Sequence, residues 1–95
     1  MPPEVIQKIV RASYPSIRAC YEQGLTRNRK LAGKLVTRFV IGTDGTVEAV
    51  VDGGSTIPDS KVARCVHAEY WKMRFPRPER GKVTVIYPIA FSPAE

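Results

Sequence analysis

The chain has 95 residues, 43% of them apolar, and carries 15 Lys and Arg against 9 Asp and Glu, a formal net charge of +6. That is enough apolar material for one small core, residues 1–95 as a single domain, and too much for a disordered segment. No apolar run reaches the length of a membrane span, and the opening MPPEVIQKIV lacks the basic head and continuous apolar stretch of a signal peptide, so an export signal or anchor would have to lie in further sequence.

The first twenty-four residues carry Val5, Ile6, Ile9, Val10, Ile17, Cys20 and Tyr21 at helical spacing, with Pro2 and Pro3 suited to a first turn and Gly24 to a C-terminal cap. Pro15 falls inside this pattern. It removes a backbone donor and crowds the preceding turn, which predicts a kink or break near Ser13 to Ser16. From Lys34 to Gly42 the run KLVTRFVIG alternates Leu35, Thr37, Phe39 and Ile41 against Val36, Arg38 and Val40, the pattern of a strand with one well-buried face. Val47, Ala49 and Val51 then resume a period of two. Asp44-Gly45 between the runs signals a tight turn with positive-φ geometry, so the two strands are expected to form a hairpin.

The stretch DGGSTIPDS is rich in breakers, and Pro58 with Asp59 reads as the first turn of a second helix. Val62, Cys65, Val66, Tyr70 and Met73 give that helix its apolar stripe, and Pro76 and Pro78 end it. Tyr70, Trp71, Met73 and Phe75 read mainly as core packing. Lys82 to Phe91, KVTVIYPIAF, is a strand with Pro88 inside it. Proline cannot donate to a ladder, so this strand belongs at a sheet edge with Pro88 facing outward. The fold class is α+β, in the order α-β-β-α-β: two helices packed on one face of a three-stranded antiparallel sheet.

Both cysteines fall on apolar helix stripes that must cover the same sheet face, so they can meet. This position favours a Cys20–Cys65 disulfide over two reduced core cysteines. Such a bond would close a loop of about 45 residues, for which the chain-entropy estimate is roughly 4 kcal/mol at 25 °C. It would also imply an oxidising compartment.

Catalytic readings fare poorly. His67, the one histidine, lies two residues from Cys65, a spacing that does not share a helix face, and is expected on the helix surface. Two Cys and one His leave a zinc site short of ligands, and DGGS at Asp52 to Ser55 lacks the ending of a phosphate loop, so it reads as a turn. No nucleophile, base and orienter can be placed together; neither enzymatic activity nor a cofactor is expected. The cations gather in two clusters: Arg27, Arg29, Lys30 and Lys34, and then Lys72, Arg74, Arg77, Arg80 and Lys82. Nucleic-acid binding would call for interleaved aromatics or a binding motif, and neither is present. The clusters are solvated faces, or a basic scaffold for anionic lipid or a cell-wall polymer.

The combination of CYEQGL, GKLVTRFVIGTDGTVEAVV, VARCV and MRFPRPERGKVTVIYPIAF resembles the TonB C-terminal domain family, and within it the AgmX/PglI type associated with gliding motility. The resemblance covers nearly the whole chain. One departure is visible: such domains often carry Trp two residues before the Phe, where this chain has Met73, with Trp71 further back. The resemblance implies a periplasmic domain at the C-terminal end of a longer chain anchored in the inner membrane. Such domains couple an energised inner-membrane motor complex to outer-membrane or periplasmic proteins by gripping an extended peptide. An open sheet edge supplies a way to do so, because its unpaired N–H and C=O groups accept an added strand. If Pro88 faces outward, Thr84, Ile86 and Ala90 face outward with it, Val83, Val85, Tyr87 and Ile89 pair inward, and the first strand is central. Lys82, Thr84, Ile86, Pro88 and Ala90 are the expected partner-binding positions.

Overall fold

The computed structural model describes residues 1–93. The elements are α1 (Pro3–Ala12), α2 (Tyr14–Arg27), β1 (Gly33–Ile41), β2 (Val47–Asp52), α3 (Ser60–Trp71) and β3 (Val83–Phe91). The expected break in the first helix is present: α1 closes at Ser13, at φ −90° and ψ −2°, and Pro15 stands in the first turn of α2. There its missing N–H costs nothing, since first-turn donors have no intrahelical acceptor. Gly24 is not the cap it was expected to be. The helix runs on to Arg27, and Gly24 is buried inside it, where a Cβ would come within 2.5 Å of the Leu31 and Val62 side chains. Its role is close approach of α2 to α3.

The sheet is antiparallel in the order β2-β1-β3. Leu35, Thr37, Phe39 and Ile41 are fully buried on the face of β1 that meets the helices. The β1–β2 turn differs from the sequence expectation at Asp44. Only Gly45, at φ +87°, has positive φ; among the described residues no non-glycine does. The Gly45 N–H donates to the Gly42 carbonyl at 2.9 Å, and the Asp44 carboxylate accepts from the Thr46 N–H and hydroxyl. This is the three-residue loop with a glycine bulge, which needs one positive φ, not the two-residue mirror-image turn, which needs two.

A bulge follows on β2. Val40 faces Ala49 but Ile41 faces Val47, so Glu48 is an extra residue. The expected stripe Val47, Ala49, Val51 is thereby broken: Val47 and Val50 belong to the core, while Val51 lies on the far face, 53% exposed.

At α3, Asp59 is the N-cap, accepting from the Lys61 and Val62 N–H groups, so Pro58 precedes the helix and does not start it. The helix also stops at Trp71, ahead of the prolines. Val62, Val66, Tyr70 and Met73 are buried, but Trp71 is 48% exposed. Core packing therefore holds for Tyr70, Met73 and Phe75 and fails for Trp71, which is one residue round the helix from Tyr70 and so points off the buried stripe. The Phe39 ring sits 5.0 Å from Tyr70 and 5.8 Å from Phe75, and Tyr21 stacks on Phe91 at 4.7 Å. Cys20 of α2 and Cys65 of α3 are disulfide-bonded, with their Cα atoms 5.6 Å apart. The bond ties together the two helices that cover the sheet.

Candidate functional site

The outer side of β3 is a sheet edge, and the register shows which of its backbone groups look outward. Val36 stands opposite Pro88. The Val36 carbonyl accepts the Gly53 N–H at 2.8 Å, its N–H donates to the Ser55 hydroxyl at 2.8 Å, and the Lys34 carbonyl accepts the Thr56 N–H at 2.8 Å. Val36 and Lys34 thus direct their backbone groups away from β3. Their partners Pro88 and Ala90 are at non-hydrogen-bonded positions of the β1–β3 ladder, and so, by alternation, are Thr84 and Ile86. The outward set is Thr84, Ile86 and Ala90, each with a donor and an acceptor, and Pro88 with a carbonyl alone. The inward set is Val83, Val85, Tyr87, Ile89 and Phe91.

The same alternation governs the side chains. Those of Thr84, Ile86, Pro88 and Ala90 are exposed on the face opposite the helices, Ile86 at 64%. Lys82 falls just before β3, and its ammonium pairs with Glu48 of β2 at 2.6 Å, so its side chain reaches back across the sheet and not out from the edge.

Sequence reasoning missed what stands beside this edge. Pro3, Ile6 and Gln7 of α1, with Val85 to Pro88 of β3, line an open groove of about 400 Å³. Ile6 and Ile9 anchor α1 to the margin of the core, where Val83, Val85 and Tyr87 also pack. The available signal was that residues 3, 6, 7 and 10 share one face of a helix separated from α2 by the Pro15 break.

Elsewhere, polar groups are absorbed by the fold. The loop after β2 covers the β2 side of the first half of β1, and the carboxylate of Asp52, the last residue of β2, is held below the usual carboxylate range, chiefly by the Ser55 hydroxyl. The DGGS turn thus completes the sheet. His67, expected on the surface, is only partly exposed and faces Asp52, with Nε2 3.7 Å from the carboxylate; burial pushes its pKa down against the attraction of Asp52. Arg27 pairs with the capping Asp59 at 2.8 Å and Lys72 with Glu69 at 3.0 Å, so each cationic cluster is partly neutralised in place. Among the described residues no helix is long and apolar enough to cross a membrane.

Among solved structures, the chain is similar to the C-terminal domain of Pseudomonas aeruginosa TonB, with a TM-score of 0.56 at 24% identity over 75% of each chain. A long piece of the Helicobacter pylori TonB C-terminal domain matches with a TM-score of 0.56 at 20% identity, covering 100% of this chain and 96% of that one. A shorter piece of the same domain gives 0.51 at 25% identity over 72% of this chain and 74% of that one. The fold is that of a TonB C-terminal domain. No family profile matches the chain, and neither does any curated protein sequence. Within this TonB C-terminal fold, β1 is central and β3 is one of the two edge strands, with no strand beside its outer backbone groups among the described residues.

Proposed function

We propose that this is a non-enzymatic interaction domain of the cell envelope, binding an extended segment of an outer-membrane or periplasmic partner as an added strand on β3. The observation that carries the reading is the alternation set by Pro88: three outward donors and four outward acceptors lie along one straight edge, with the single missing donor at the proline. Pairing along such an edge supplies affinity through main-chain hydrogen bonds, and the proline limits uncontrolled association of edges. The fold shared with TonB C-terminal domains supports the same reading.

In this account residues 1–95 are the periplasmic C-terminal part of a chain anchored in the inner membrane, and the bound strand passes energy or force from a motor complex there to the outer envelope. The AgmX/PglI resemblance extends the proposal to gliding motility. Hydrogen bonds loaded along a strand share the load, and the Cys20–Cys65 bond keeps α2 and α3 together under it.

Ile86→Pro tests the reading. It removes an outward N–H while leaving the β1 ladder intact, and it is compatible with an edge strand. Wild-type domain is expected to capture an envelope protein with little loss between low and high salt, and Ile86→Pro to release it. Capture that survives Ile86→Pro and falls steeply with salt would instead assign binding to the Lys and Arg clusters.

A further inference from the structure

The groove between α1 and β3 has the wrong position to be incidental to strand addition. Side chains of an added strand alternate between the two sheet faces. Peptide residues level with Thr84 and Ile86 pair through their backbone and direct side chains to the open face. Their neighbours, level with Val85 and Tyr87, point toward the helices. On that side they meet α1, with Pro3 and Ile6 presenting apolar surface and Gln7 at the rim. The volume of about 400 Å³ is within the range of small-ligand pockets, roughly 300–1,000 Å³, and suits a few side chains, not a folded partner.

We propose that this groove selects the partner by taking apolar side chains from every second residue of the peptide, with Ile6 and Gln7 as specificity-determining residues. The inference rests on the strand-addition reading above. A bare edge recognises backbone, which all peptides share, so sequence discrimination has to come from pockets for alternate side chains. On the open face a peptide side chain meets only exposed Thr84, Ile86 and Pro88 and remains in water. On the α1 face it is covered on two sides by Ile6 and the Val85 and Tyr87 row, where removing a Val or Leu side chain from water favours binding. The preferred peptide is extended, with apolar residues at alternating positions and polar residues between them.

The probe is a displayed library of random heptapeptides, selected separately on wild type, Ile6→Trp, Gln7→Lys and Ile86→Pro. Gln7 is exposed, so Gln7→Lys leaves folding undisturbed even where Ile6→Trp does not. Wild type should enrich sequences with large apolar residues two apart. Ile6→Trp should fill the groove and shift those same positions to small residues, with at least tenfold lower recovery of the wild-type sequences, and Gln7→Lys should bring acidic residues into them. Ile86→Pro should abolish enrichment. If Ile6→Trp and Gln7→Lys return the wild-type consensus while Ile86→Pro still abolishes it, the groove does not select and strand addition stands alone. If Ile86→Pro enriches the same sequences as wild type, or wild type enriches nothing, strand addition itself fails and takes this inference with it.

Discussion

At Gly45 the backbone stands at φ +87°, and its carbonyl accepts the Phe75 N–H at 2.9 Å. A Cβ here would run into the Phe75 carbonyl oxygen. Gly45→Val therefore combines a strained dihedral with a backbone clash and should cost about 3 kcal/mol or more in a thermal or denaturant melt. The turn was legible in Asp44-Gly45, whereas the Phe75 contact was not, because it joins segments thirty residues apart. Buried hydroxyls were equally out of view. Thr37 Oγ1 and Tyr70 Oη face one another between β1 and α3, yet neither makes a hydrogen bond of normal geometry. Replacing both, as Thr37→Val with Tyr70→Phe, should be neutral or raise stability by up to about 1 kcal/mol. Burial pushes the Tyr70 hydroxyl up to about 12. A raised folded pKa means that its contribution is whole below the unfolded value near 10 and is lost as pH rises from there toward about 12. Melts between pH 9 and 11 should show a steeper alkaline loss in wild type than in Tyr70→Phe.

The disulfide governs stability at the level of elements. Cys20→Ala with Cys65→Ala should lose about 2–5 kcal/mol by denaturant titration, since the bond closes a 45-residue separation between α2 and α3. A loss below about 1 kcal/mol would mean that packing around Gly24 already fixes the two helices. The cysteine pairing, the central β1 and the Pro15 break could all be read from period and position, because each follows from local pattern plus one shared sheet face. What could not be read came from single-residue shifts. Glu48 as an inserted residue reverses the facing of Val50 and Val51, and one step round the helix separates buried Tyr70 from exposed Trp71. The groove was out of reach for another reason: it needs α1 placed beside β3, a packing that no local pattern specifies.

For the whole molecule, the central strand is paired along its length on both sides. The loop of Gly53 to Thr56 carries hydrogen bonding past the end of β2 along β1, while the edge strand β3 keeps its outward groups at Thr84, Ile86 and Ala90 and blunts the edge only at Pro88. Over its nine residues β3 thus offers one continuous edge to a partner's backbone. The most direct measurement is a titration of isotope-labelled domain with an extended segment of the captured partner, following each backbone amide. The largest shifts, and slowed hydrogen exchange, are expected at Thr84 and Ile86, with smaller shifts at Ile6 and Gln7 across the groove. Shifts confined to Arg27 through Lys34, with the β3 amides unmoved, would contradict it.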